Sequence, residues 1–344
     1  MAHIDKDDVL EILGKKIHPG KGAVINLNMA KLYTTTSVEV PVIIERSKKP
    51  GPVILITAGI HGDEINGVEI VRQIISKNIN KPVKGTIICI PVVNVFGFLS
   101  LSRQFPDGRD LNRVFPGTKN GSLASRFAYQ FSRKILPVAD FCLDFHTGGS
   151  SRFNAAQVRV HKGDENSMKY AKIFNAPFTV YSKTIAKSYR ETCYRAGKKV
   201  LLFEGGKSMD SNKEIAKYGV EGTMRILSHL GMLKPRFICP EVFMPSIIVE
   251  NSTWMRAKYS GLLHIKIECG KHVEKGEYLG TITDPYGKFR HKITSPHTGH
   301  VINVNESPIV YQGDAIFHIT LPPKIQDEEV IENEIPKFTG GANF

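Results

Sequence analysis

The sequence predicts an α/β fold in which a mainly parallel or mixed sheet carries helices on both faces, followed by a smaller all-β region. Three observations carry this expectation. Short β-branched runs alternate with segments of helical period between residues 38 and 230; from about 240 onward short strands are separated by glycine turns; and 344 residues are too many for one ordinary core. The expected division is an α/β domain over 1–238, an all-β domain over 239–322 and a loosely ordered acidic tail over 323–344.

Taken in order, VEVPVIIE at 38–45 and VILITA at 53–58 read as strands, and KKPG at 48–51 reads as a turn that makes them a hairpin. After HGDE the period changes, since Ile65, Val68, Ile70, Val71 and Ile74 recur at helical spacing up to about Lys77. TIICIPV at 86–92 is a strand, 123–135 a helix and ADFCLDF at 139–145 a strand, while helices at 164–174 and 212–230 flank the strand KVLLF at 199–203. Strands alternating with helices bury both faces of a mainly parallel sheet, and sites in such sheets lie beyond the carboxyl ends of the strands. The segment HTGGSSRFNAAQVRV at 146–160 is expected to be a loop lining the pocket.

A composition of 41% hydrophobic and 23% charged residues is that of a globular chain. Cys89, Cys142, Cys193, Cys239 and Cys269 form no CxxC pair and sit mostly in apolar runs, so they read as packed thiols. No signal peptide and no apolar run long enough to span a bilayer is visible, which leads us to expect a cytoplasmic protein without a membrane partner. A formal charge of +13 attracts anions, but the basic residues are scattered and no helix-turn-helix, zinc-finger spacing or aromatic-basic motif accompanies them. The expected partner is a small anionic substrate and not nucleic acid; self-association into a homo-oligomer stays open.

His61 follows a strand and Glu64 comes three residues later as a helix begins, which puts both side chains on one face of its first turn. His146 ends another strand. Together they are the residue types of an open catalytic zinc site that leaves one coordination position for water. Each has a plainer reading, as a helix-start carboxylate or a turn-capping histidine. Asp144, two residues before His146, is either a packed strand carboxylate or an acceptor that orients the imidazole. Glu204, at the end of KVLLFEGG, is an acid in an apolar strand; it reads as a general base or as a partner of the Gly205–Gly206 turn. The loop SLSRQFPDGRDLNRVFPG at 100–117 carries Arg103, Arg109 and Arg113, each suited to a carboxylate or an oxyanion and each equally open to a surface ion pair.

The motifs AGIHGDEINGVE, PDGRDLNRVFPG, DFHTG and FEGG, in this order over roughly 35–320, resemble the succinylglutamate desuccinylase and aspartoacylase family, which is related to the zinc carboxypeptidases. The resemblance implies a zinc carboxypeptidase-like domain with one Zn2+ per chain on His61, Glu64 and His146, and Glu204 as catalytic acid and base. It also implies that Asn112 and Arg113 grip a substrate carboxylate and that Arg103 polarises the scissile carbonyl, a role for which Arg109 competes. KHVEKGEYLG and SPHTGHV are similar to the barrel-sandwich domain carried by many of these deacylases. No Met-Lys-Met acceptor is present, so this region is expected to shape the mouth of the site, with Tyr286 and Arg256 as residues that could reach it.

The function expected from all of this is zinc-dependent hydrolysis of an N-acyl amino acid or a similar carboxylate-bearing amide. A metallocarboxypeptidase acting on peptides is the alternative enzyme, and a non-catalytic binding protein the alternative of another class.

Overall fold

The computed structural model describes residues 9–31, 37–242 and 244–322; the expected acidic tail at 323–344 lies outside them. The N-terminal region contributes a small hairpin, β1 (Leu10–Ile12) and β2 (Lys15–Ile17), and then β3 (Gly22–Lys31), β4 (Ser37–Arg46), β5 (Val53–Ala58), α1 (Ile65–Ser76), β6 (Thr86–Ile90), α2 (Val95–Leu99), α3 (Leu123–Lys134) and β7 (Phe141–Gly148). It continues with β8 (Arg152–Val160), α4 (Glu165–Phe174), β9 (Phe178–Tyr181), α5 (Tyr189–Arg195), β10 (Lys199–Lys207) and α6 (Lys213–His229). The C-terminal region is all strand: β11 (Ile247–Val249), β12 (Ser252–Arg256), β13 (Gly261–Ile265), β14 (His272–Val273), β15 (Tyr278–Thr283), β16 (Arg290–Thr294), β17 (Gly299–Asn305), β18 (Ile309–Val310) and β19 (Ala315–Thr320).

The α/β expectation holds. A 13-stranded mixed sheet runs β12-β19-β17-β8-β10-β7-β5-β6-β4-β3 with β9, β11 and β14 off that path. Its centre is parallel, because β10, β7, β5 and β6 are joined through helices, whereas β4 and β8 pair antiparallel on either side. Strand alternation divides the core. In β5, Val53 and Leu55 face one apolar layer with Phe127 and Phe131 of α3 and Tyr189 and Cys193 of α5. Ile54, Ile56 and Ala58 face the other, with Ile70 and Ile74 of α1, Phe174 of α4 and Ile226 of α6. Continuous apolar strands are what burial on both faces requires.

Two local expectations fail. The strands at 38–45 and 53–58 are not a hairpin: β6 lies between β4 and β5, antiparallel to the first and parallel to the second, so the KKPG turn links strands that are not neighbours. The segment at 146–160 is only partly loop, since Arg152–Val160 forms β8. Its polar residues Asn154 and Gln157 break the apolar run that announces a central strand, yet both are buried.

The C-terminal region is joined to the α/β region by backbone. On the side of β8 away from β10, β17 pairs antiparallel with Arg152–Asn154, and β9 pairs parallel with Gln157–Val160. A separate four-stranded sheet, β16-β15-β13-β18, packs with β17 and β19 around Leu263, Val273, Ile282, Ile293 and Phe317. All five cysteines are unpaired, and Cys89, Cys142 and Cys193 are buried. No described helix is long and apolar enough to cross a membrane.

Candidate active site

Three strand ends build the site. β5 hands the chain to a tight turn carrying His61, and Gly62 in that turn lies so close to the backbone of α2 that an added Cβ would stand 1.9 Å from the carbonyl carbon of Gly97. Only glycine fits there. Glu64 then occupies the position before the first turn of α1 without capping it, unlike Asp164, Ser188 and Asn212, whose side chains accept from the amides of their own helices. Its carboxylate is spent elsewhere: Oε1 meets His61 Nδ1 at 2.6 Å, and Oε2 meets His146 Nδ1 at 2.9 Å and accepts from the Thr147 amide at 3.1 Å.

Glu64 is only 2% exposed. Burial alone would raise its pKa, but the charges of His61 and His146 outweigh burial and hold the carboxyl well below the usual range. Burial likewise disfavours the charged imidazoles, and it is overridden, by Glu64 and Asp110 at His61 and by Asp144 and Glu64 at His146, so both are raised. Such mutual dependence among buried groups suits a cation held between them.

A metal ion is the group these residues fit. One ligand atom from each of His61, Glu64 and His146 lies within 4.8 Å of the others. The far nitrogen of each ring is engaged by a carboxylate: His61 Nε2 with Asp110 Oδ1 at 3.1 Å, and His146 Nε2 with Asp144 Oδ2 at 2.9 Å. With a carboxylate against both nitrogens each ring carries two protons here; a metal ion would replace those on the Nδ1 atoms facing Glu64, while the aspartates keep theirs on Nε2, the arrangement that orients metal-ligating histidines. Two nitrogens and a carboxylate oxygen match the His2Glu set of open catalytic zinc sites.

Glu204 joins these groups through sheet register. In the parallel pair of β10 with β7 it stands opposite His146, as Leu202 stands opposite Asp144, so all four point to the same face. Its Oε2 accepts from Asn154 Nδ2 at 2.7 Å and from Arg159 Nη2 at 2.9 Å; among the described residues nothing donates to Oε1. A shift of register between Glu204 and Gly206 follows immediately.

His61, Glu64, His146, Glu204, Arg103, Asn112 and Arg113 all line one cavity of about 210 Å3, and Arg109 does not. Arg109 is 54% exposed and faces Asp107 at 3.6 Å, a surface pair. Arg103 is held by Asp110, through Nε at 3.2 Å and Nη2 at 3.0 Å, and donates from Nη1 to Glu64 at 3.2 Å. Asn112 accepts the Tyr189 amide on its Oδ1 at 2.8 Å.

Residues 50–230 match the family model described as the succinylglutamate desuccinylase/aspartoacylase catalytic domain. The chain belongs to the succinylglutamate desuccinylase/aspartoacylase family. It is 28% identical over 262 residues to the N-alpha-acetyl-L-2,4-diaminobutyric acid deacetylase of Halomonas elongata, covering 72% of this chain and 75% of that one. The fold is shared with a succinylglutamate desuccinylase/aspartoacylase of Rhodobacter sphaeroides (TM-score 0.75, 24% identity, 87% of this chain and 95% of that one). It is also shared with a product-bound ectoine utilization protein of Ruegeria pomeroyi (TM-score 0.76, 24% identity, 93% and 97%).

In this member of the family the cavity also contains residues that were not singled out in the sequence. Arg152, Asn154 and Arg159 come from β8, within the 146–160 segment expected to line the pocket; Lys183 and Arg190, from the segment between β9 and the end of α5, and Trp254 and Asn303, from the C-terminal region, had no such signal. Tyr286 and Arg256 do not line it; Tyr286 is 82% exposed and Arg256 donates to the Gly313 carbonyl. Trp254 stacks flat on His318, with ring centroids 4.4 Å apart. Asp110 had a signal in hand, since it immediately precedes the Leu-Asn-Arg turn and caps it by accepting from the Asn112 amide.

Proposed function

We propose that the protein is a zinc-dependent deacylase that hydrolyses the amide of a small anionic N-acyl amino acid. The observation that carries this reading is the convergence of His61, Glu64 and His146 on one point beside Glu204, whose Oε1 is open. His61, Glu64 and His146 would hold the zinc, which when bound would supply a Lewis acid for the carbonyl and lower the pKa of water towards neutrality. Glu204 Oε1 takes the proton from the attacking water and returns it to the departing amine, because Oε2 is already occupied by Asn154 and Arg159. Arg113 and the Asn112 amide nitrogen, which has no acceptor among the described residues, hold the carboxylate beside the scissile bond. Arg103, fixed by Asp110 and Glu64, offers its guanidinium to the oxygen that becomes negative.

Charge supports an anionic substrate. Arg103, Arg113, Arg152, Arg159, Lys183 and Arg190 line the cavity against Glu64, Asp144 and Glu204. Burial and the neighbouring Arg159 cation hold the Arg190 guanidinium down at about 10, a cost that a bound anion relieves. Size favours a small substrate over a peptide, because Trp254 and Asn303 of the C-terminal region wall the cavity. The Halomonas relative is named for removing an acetyl group from N-alpha-acetyl-2,4-diaminobutyric acid, an amide next to a carboxylate.

The test compares zinc-loaded wild type with Glu204→Gln on N-acetyl and N-succinyl amino acids and on short peptides. The variant is expected to keep about one zinc and to lose about 10²–10⁴-fold in turnover. Full activity in Glu204→Gln would overturn the assignment of the base, and faster release from peptides than from N-acyl amino acids would turn the reading to a carboxypeptidase. A wild-type protein that binds no zinc when supplied with it would leave only a binding role.

A further inference from the structure

Between the C-terminal region and Glu204 runs a file of two amides, of which the reaction outlined above uses only the Asn154 contact with Glu204. Asn303 Nδ2 donates to Asn154 Oδ1 at 2.6 Å, and Asn154 Nδ2 donates to Glu204 Oε2 at 2.7 Å. The three residues lie on the adjacent strands β17, β8 and β10, with Asn303 directly opposite Asn154 in the antiparallel pair. Both strands that end the file are irregular there. β17 slips register against β19 between Val301 and Asn303, and β10 slips against β8 between Glu204 and Gly206. Irregularities of this kind re-aim single side chains.

Asn303 is 3% exposed and sits among Val301, Ile302 and Val304, all buried. Its Oδ1 has no hydrogen-bond partner among the described residues, and such a buried orphan costs about 1–3 kcal/mol. An apolar residue of similar shape would avoid that cost and pack as well. What Asn303 supplies in return is direction. A carboxylate only accepts, so Asn154 turns its NH2 to Glu204, and Asn303 is the donor that occupies the Asn154 oxygen left on the other side and holds the amide in place.

We propose that Asn303 is a positioning residue for the general base. Through Asn154, which shares Glu204 Oε2 with Arg159, it sets the rotation of the carboxylate that the single Arg159 contact leaves free and so holds Oε1 toward the water and the leaving amine. The C-terminal region thus takes part in the reaction by a hydrogen-bonded file as well as by walling the cavity. This inference rests on Glu204 being the base.

The experiment uses the full-length zinc-loaded protein with N-acetyl-L-aspartate and N-alpha-acetyl-L-2,4-diaminobutyrate as probes. Asn303→Leu removes the donor and the orphaned oxygen together, and Asn303→Ala does the same without any risk of overpacking. Each is expected to lower kcat about 10-fold or more with KM within about two-fold, since misplacing a reacting group by 1 Å costs as much as 10²-fold. Asn303→Leu exchanges one orphaned oxygen, its own, for another, that of Asn154, and should therefore melt close to wild type. Combined with Glu204→Gln, either substitution should cause no further loss, because both act on one group. Independently of turnover, a crystal structure of Asn303→Leu should show Glu204 out of hydrogen-bond reach of Asn154. Wild-type kcat in both variants, fully additive losses with Glu204→Gln, or an unmoved Glu204 would each overturn the proposal. Loss of turnover in Glu204→Gln without loss in the Asn303 variants would sink this inference alone, whereas an active Glu204→Gln would sink the reading beneath it.

Discussion

Asp144→Asn tests the metal site at its least conspicuous member. Asp144 is 1% exposed; its Oδ2 holds His146 Nε2 at 2.9 Å and its Oδ1 accepts from the Thr57 hydroxyl at 2.7 Å. Asparagine has nearly the same shape, so packing is preserved and only charge and donor pattern change. If the new amide keeps its oxygen toward Thr57, its NH2 faces His146 Nε2, which must then give up its proton and move it to Nδ1, the atom needed for zinc. If the amide turns over, the Thr57 hydroxyl must rotate to accept. In the second, cheaper case a charge-assisted hydrogen bond of about 1.5–3 kcal/mol becomes a neutral one of about 0.5–1.5 kcal/mol, and the ring also becomes a weaker donor. The hydrogen bond alone accounts for about 1–1.5 kcal/mol, and with the weaker ring donor the expected loss is about 10–100-fold in zinc affinity, or about 1.4–2.7 kcal/mol. Competition with a chromophoric chelator measures it directly. A dissociation constant within about two-fold of wild type, in a protein that melts normally, would refute the argument that this carboxylate tunes the imidazole.

Other expectations follow from the same geometry. Arg109→Ala should leave stability within about 0.5 kcal/mol and turnover unchanged, while Arg113→Ala should raise KM; equal effects from both would contradict their different placement. Gly62→Ala must push His61 away from the backbone of α2, so zinc content after purification should fall below that of Ala substitutions elsewhere in the turn. Burial and the Arg159 charge hold His318 down at about 4. The folded state therefore binds this proton less readily than the unfolded state, and stability is lost as pH falls from about 6.5 through about 4. Denaturant titrations should show wild type losing about 2–3 kcal/mol more than His318→Gln across that window, somewhat less than the full pKa difference because His318 is only partly buried, and parallel curves would argue against it.

The parts of the site that were legible in the sequence are those fixed by chain order. His61 and Glu64 are separated by one tight turn, and His146 and Glu204 each close an apolar strand, so local pattern alone put all four at one edge of the sheet. Asp144 followed from period-two alternation with His146. What the sequence hid arrives from across the sheet. Asn154 and Arg159 lie on β8, whose buried polar side chains disguise it as a loop, and Asn303 reaches Asn154 over a separation of 149 residues. Pairing partners at such separations are chosen by the tertiary packing of the sheet and leave no mark on local periodicity. The false hairpin at 38–58 failed for the same reason, because a strand more than twenty-five residues onward took the place between its two arms.

The sharing of one flank of β8 between β9 and β17 has a practical consequence for anyone who trims this protein. A fragment ending near residue 238 would keep His61, Glu64 and His146 but leave Arg152–Asn154 as a bare strand margin, its peptide groups open to any passing chain. Such a fragment should precipitate or pair with itself at that margin. The strands between 247 and 320 are, in this sense, the hem of the sheet, and unpicking them frays the cloth next to the site.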